Sequence, residues 1–454
     1  MTFRRRSLWF LAGLATAGVT AGLLTLPSAE AQPALPKLVS ANPADFTPQV
    51  HDDANIQNAS IYAFAQVGDT MFAGGRFRTI TTPNGKTSYP RNHLMAFSAT
   101  TGEIKPFAPV FGGPVWALAA IGNDLYVGGE FSKVNGVAHQ ALVKLDATTG
   151  VIDPDFDPPF ADGRITEIRV AKGRLFVSGT FARKLVALDP RTGMDTKYVH
   201  ITVTGTMSPA TDGRVPEVLK FAIDPAGTKL VAVGNFNKVD QQWRPMAFML
   251  TLGRPFAALN AWYYPSIAVP CIATGVPDYV RDVDFSPDGS FFAFTGSGGA
   301  PQWSGNLGLA VCDAVSRFES GITYPTAPTW VNYTGGDTLH SLAITGSVIY
   351  VQGHQRWLNN AGGNNFPVPN QAVDRQGIAA VDAATGKVLD WNPGKDRGVG
   401  GKRFLVTPAG LWVGSDGRFF AGEQHWGLAF LPLNDTAAAR RAISNRRAVG
   451  TPRR

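Results

Sequence analysis

One phrase recurs along almost the whole chain, and repetition on that scale restricts the fold to an array of similar units before any single residue is interpreted. Its clearest copy spans residues 115–158. It contains Val127-Gly128-Gly129-Glu130-Phe131, a polar loop, Asp146-Ala147-Thr148-Thr149-Gly150 and Phe156-Asp157-Pro158. The glycine run answers to Ala73-Gly74-Gly75-Arg76-Phe77 before it, and to Val177-Ser178-Gly179-Thr180-Phe181 and Val233-Gly234-Asn235-Phe236 after it. Weaker equivalents stand at Gly296, Gly353 and Gly414. The tails recur as well, in Ala99-Thr100-Thr101-Gly102, Asp189-Pro190-Arg191-Thr192-Gly193 and Asp382-Ala383-Ala384-Thr385-Gly386, with Phe107-Ala108-Pro109 and Trp391-Asn392-Pro393 downstream. Seven units are visible.

Within a unit, β-branched, aromatic and aliphatic residues alternate with period two between Gly, Asn and Asp turns, which is the pattern of strands. Gly122-Asn123-Asp124, Asp224-Pro225-Ala226-Gly227 and Ser286-Pro287-Asp288-Gly289 carry the chemistry of hairpin reversals. Each unit therefore reads as about four short antiparallel strands. A small sheet cannot bury both faces alone, but seven arranged radially can, so the expected fold is all-β: a seven-bladed β-propeller. The last unit, from Gly400 onward, lacks the aromatic-x-Pro tail, and Phe46-Thr47-Pro48 supplies one. Residues 44–56 are expected to complete that blade.

Residues 1–31 read as a secretory signal. Arg4-Arg5-Arg6 precedes an apolar stretch, and Ala29-Glu30-Ala31 has the form of a cleavage site. An uncleaved anchor is the alternative, and Arg5-Arg6-Ser7-Leu8 partly resembles a twin-arginine export signal. Residues 32–433 are expected to form a single domain with no membrane span once the signal is removed. Residues 434–454, with six Arg, read as a flexible basic tail suited to anionic surfaces. Setting aside nine Arg and two acids in these two ends reduces 41 basic and 34 acidic residues to 32 of each. So neutral a domain does not point to nucleic acid. The two cysteines, Cys271 and Cys312, are expected to form a disulfide in an oxidising compartment.

Gly128-Gly129-Glu130-Phe131-Ser132-Lys133-Val134-Asn135-Gly136, followed by Ala141-Leu142-Val143-Lys144-Leu145-Asp146 and Phe156-Asp157-Pro158, resembles the delta-60 repeat-type propellers, a family of secreted or cell-surface bacterial β-propellers. The resemblance implies the fold and the location. It attaches no catalytic residues to the repeat.

Function is then sought where the repeat is broken, because loops a scaffold does not need are where binding residues accumulate. Residues 209–216, 257–279, 298–303 and 359–375 interrupt the spacing. Trp357, Asn359, Asn360, Asn364 and Asn365 combine an aromatic face with amides, which suits the faces and hydroxyls of sugars. Two weaker metal candidates are the alternating Asp153, Asp155 and Asp157, a hard-oxygen set that would take calcium, and the pair His340 and His354. No other cofactor is expected. No H-E-x-x-H or G-x-S-x-G arrangement in strand-to-helix context occurs. The leading expectation is a monomeric, non-catalytic scaffold that binds a glycan or an extracellular protein. The alternative is an extracellular hydrolase or quinone-type oxidoreductase with its site in the central funnel.

Overall fold

A computed structural model describes residues 32–207, 215–272 and 279–433. The expected signal, the basic tail, most of the 209–216 loop and part of the 257–279 loop lie outside the described residues. The fold is all-β, and the only helical turns among the described residues are the short 3-10 segments Pro265–Ala268 and Ser304–Asn306.

Seven antiparallel sheets of consecutive strands follow one another. The first three are Ser60–Val67, Thr70–Arg76 and Leu94–Ser98; Val115–Ile121, Asp124–Gly129 and Leu142–Asp146; and Ile165–Ala171, Arg174–Gly179 and Leu185–Leu188. The fourth is Glu217–Ile223, Lys229–Asn235, Ala247–Leu252 and Ala257–Leu259, and the fifth Val280–Phe285, Phe291–Gly296, Ala314–Glu319 and Trp330–Tyr333. The last two are Leu339–Ile344, Val348–Gly353 and Ile378–Asp382, then Arg403–Thr407, Gly410–Gly414 and Leu428–Pro432. Smaller hairpins such as Lys133–Val134 with Val137–Ala138, or Trp357–Leu358 with Val373–Asp374, branch off between second and third strands. They account for the polar loop of the repeat.

Only the fourth and fifth sheets have a full fourth strand. In the first, second, third and sixth sheets that place is held by single bridges such as Phe97 with Ile104 and Leu145 with Ile152. The reason is the Asp-x-x-Thr-Gly turn: Asp146 accepts from the Thr148 and Thr149 amides and the Thr149 hydroxyl, and Gly150 takes φ +74°. This tight Asx turn returns the chain so sharply that one residue regains the sheet.

Second strands are apolar on both faces: Phe291–Gly296 and Val348–Gly353 are buried throughout. Each face meets a neighbouring sheet. Seven hydrophobic clusters lie one between each pair of successive sheets, and the seventh joins the last sheet to the first, packing Trp412 and Phe430 with Phe64 and Phe97. The first strands also touch in sequence order, and Arg403–Thr407 lies against Ser60–Val67.

The N-terminal segment bridges the last and first sheets, starting slightly earlier than residues 44–56. The Ser40 and Ala44 amides donate to the Pro432 and Phe430 carbonyls at 2.8 Å, on either side of Pro43, which has no N–H to give. Phe46 packs on Trp412 and Phe430 at ring centroid distances of 6.2 and 5.7 Å. Gln49–His51 then pairs with Thr79–Thr81 of the first unit. Cys271 and Cys312 are joined, closing a separation of 41 residues. In the chain-entropy picture such a closure stabilises by about 4 kcal/mol.

Candidate functional site

The first strand of each sheet repeats one irregularity. In six of the seven, the ladder to the second strand skips one residue: Tyr62, Trp116, Thr166, Leu219, Arg281 and His340. The cause is close backbone approach at the motif glycine. A Cβ on Gly75 would meet the Ser60 carbonyl oxygen, and one on Gly179 the Arg164 carbonyl oxygen. Bulges of this kind release a side chain from the ladder and re-aim it. In the seventh sheet the equivalent place belongs to Lys402, whose amide donates to the Gly414 carbonyl. Register also corrects the seventh motif glycine. Gly414 faces Arg403 as Gly74 faces Ala63, so Ser415 is the counterpart of Gly75.

One residue further on, the column reads Ala63, Ala117, Glu167, Lys220, Asp282, Ser341 and Arg403. Its charged members meet across the molecule. Glu167 lies 2.7 Å from Lys220 Nζ and is held by Arg403 through two hydrogen bonds of 2.8 and 2.9 Å. Arg169 Nε stands 2.7 Å from Glu167 Oε1, an ion pair without hydrogen-bond alignment. Burial alone would raise the Glu167 carboxyl, but Arg403, Lys220 and Arg169 outweigh it and hold the group far below the usual carboxylate range. Burial lifts Asp284 to about 7 and raises Asp282. These two carboxyls accept the Ile344 and Leu342 amides, tying the fifth sheet to the sixth. The buried charges are committed to one another and to backbone.

At the level of the bulges the surroundings are more open. Tyr62 stacks on Trp116 at 4.3 Å and 14°. Arg164 sits over Trp116 at 5.3 Å and grips Glu217 through Nη2 at 3.0 and 3.1 Å. The buried Trp116 Nε1 has no protein partner. On the other side, His340 and His354 face each other at 5.8 Å. Buried Asp337 accepts from Arg356 Nε and Arg397 Nη2, both at 2.8 Å, and stands 3.9 Å from His354. Burial lowers both histidines, His340 well below the ordinary imidazole range, with Lys402 and Arg281 adding to the effect.

The loop residues singled out by composition reach this region from outside. Arg356 stacks on Trp357 at 4.3 Å and contacts Asn365 Oδ1 at 3.5 Å while holding Asp337. Asn360 is fully buried: its Nδ2 donates to the Thr334 and Phe366 carbonyls and its Oδ1 accepts from Val368. Asn359 exchanges hydrogen bonds with Asn332 at 2.6 and 2.7 Å. These two amides organise the loop, whereas Asn364 and Asn365 are exposed.

His340 and His354 are brought together; Asp153, Asp155 and Asp157 are not. Asp153 pairs with Lys144 at 2.5 Å and accepts the Asp155 amide, so the run is a turn, not a strand with one carboxylate face. Among the described residues no three His, Cys, Asp or Glu side chains converge as a metal-holding group. Tyr62, Trp116, Arg281 and Lys402 escaped sequence reasoning. The available signal was a column in the repeat: placed two residues ahead of the strand's alternating core positions, they occupy one register.

No family model matches the chain, and no curated protein matches it. Among solved structures, the crystal structure of the computationally designed Ika8 protein is similar at a TM-score of 0.44 and 10% identity, over 85% of this chain and 99% of that one.

Proposed function

We propose that this protein is a secreted seven-bladed β-propeller of the delta-60 repeat type, acting as a non-catalytic scaffold that binds a glycan at one end of the ring. The cyclic contact of the first strands and the cluster shared by the last and first sheets support the ring. The observation that carries the binding site is the common bulge, which releases one side chain at the same level in six of the seven sheets, Tyr62, Trp116, Arg281 and His340 among them. An aromatic stack with an unpartnered indole N–H, beside the polar pair Arg164 and Glu217, suits a sugar's apolar face and hydroxyls. Trp357 and Asn364, on the neighbouring loop, extend the surface.

A glycan array on the purified protein, repeated with Trp116→Ala and Trp357→Ala, tests this. Hits that weaken at least tenfold in Trp116→Ala are expected. An array without hits, or a Trp116→Ala variant that binds unchanged, refutes the reading. A hydrolase reading draws on Asp313, whose buried carboxyl is lifted to about 7 and hydrogen-bonds Thr338 beside Asp337. Hydrolysis of any array hit, lost in Asp313→Asn, would favour it.

A further inference from the structure

The basic residues at the level of the bulges are unevenly distributed. Arg281, His340 and Lys402 occupy the same place in the fifth, sixth and seventh units, whose first strands touch in that order. They are therefore consecutive, and the same places in the other four units hold Tyr62, Trp116, Thr166 and Leu219, with no base among them. The backbone of the seventh unit packs directly on the middle one, since a Cβ on Gly400 would meet the His340 ring.

The carboxylates nearby are already engaged. Asp337 is held by Arg356 and Arg397. Asp416 accepts the Val399 and Gly400 amides, and Asp313 accepts from Gly299 and Thr338. Arg281 donates to neutral oxygens, the Tyr279 hydroxyl at 2.6 Å and Ser297 Oγ at 3.1 Å. Lys402 offers a half-buried ammonium, and among the described residues neither it nor Arg281 has a carboxylate partner in an ion pair. Asp416 stands near enough to favour the Lys402 ammonium, yet burial and the neighbouring Arg281 outweigh it and lower the group; a buried cation with no carboxylate in contact is unfavourable unless something else completes it. A fork of guanidinium donors, an ammonium and an imidazole N–H together match the oxygens of a planar or tetrahedral oxyanion.

We propose that Arg281, His340 and Lys402 form an oxyanion subsite that takes a carboxylate or sulfate substituent of the ligand. The inference rests on the glycan-scaffold reading for the rest of the ligand, but the subsite itself can be tested apart from it.

Isothermal titration of the purified protein with a galacturonic acid tetrasaccharide, a sulfated galactose tetrasaccharide and a neutral galactose tetrasaccharide separates the cases. At least one charged oligosaccharide is expected to bind roughly tenfold or more tighter than the neutral one, and to weaken as salt rises. Which of the two binds identifies the substituent. Lys402→Met is expected to remove the preference for charge while raising the thermal midpoint of the free protein, because a cation that burial disfavours has gone; Lys402→Arg keeps the preference. A midpoint that falls in Lys402→Met would make Lys402 a structural residue and overturn the subsite. Equal binding of charged and neutral oligosaccharides, abolished by Trp116→Ala, would remove the subsite and leave the scaffold standing. If no oligosaccharide binds, yet sodium sulfate at constant ionic strength raises the midpoint of the protein and not of Lys402→Met, the glycan reading falls and the subsite stands. If sulfate too leaves both unchanged, the subsite falls.

Discussion

Glu167 shows how one residue can hold distant parts of a chain. It stands on the third sheet, yet its main partner, Arg403, is 236 residues away on the seventh. Its carboxyl is depressed in the folded state, so it stabilises the fold above its unfolded value of about 4.3, and that contribution is lost as pH falls below it. Glu167→Gln leaves Arg169, Lys220 and Arg403 buried without their counter-charge. Loss of about 3–5 kcal/mol at neutral pH is expected, with a shallower decline in acid than the unaltered protein shows. Urea unfolding across pH 3 to 7 measures both, and a variant of unchanged stability at neutral pH would contradict the account. Nothing local in Thr166-Glu167-Ile168-Arg169 announces a partner, because Coulomb attraction depends on distance in space and not on spacing along the chain.

At the scale of the element, the recurring glycines divide into two kinds. Gly179 has ordinary extended backbone but no room, since a Cβ would meet the Arg164 carbonyl; Gly122 has open space around it but φ +59°. Gly179→Ala is expected to destabilise by about 2–3 kcal/mol through overpacking, whereas Gly122→Ala should lose only about 1–2 kcal/mol from left-handed backbone strain. Paired unfolding curves decide this, and equal losses would mean that crowding against the first strand is not what preserves the motif. Strand character, turns and the pairing of Cys271 with Cys312 were legible because alternation, Asx turns and positive φ are properties of near neighbours. The bulges were not. They follow from how closely a second strand approaches the first, and that distance is set by the sheets packed on either side.

For the whole molecule, the decisive junction is where the two ends meet. Ser40, Ala44 and Phe46 seal the outer side of Leu428–Pro432. Phe46→Ala removes an aromatic contact shared with Trp412 and Phe430, and a loss of about 2–3 kcal/mol is expected. Amide exchange should quicken first in Leu428–Pro432 and leave Ile165–Ala171 protected; uniform acceleration would show that this junction is no weaker than the rest. The sequence by itself determined the all-β character, the strands and turns and the cysteine pair, because each depends on pattern within a few residues or on there being two cysteines to join. Tertiary structure alone decided that Glu167 meets Arg403, that His340 faces His354, and that Arg281, His340 and Lys402 stand side by side. Neighbours among the first strands are assigned by the order in which sheets pack and by the register of each strand. Both are settled by burying apolar faces between successive sheets, a long-range requirement that no short stretch of chain records.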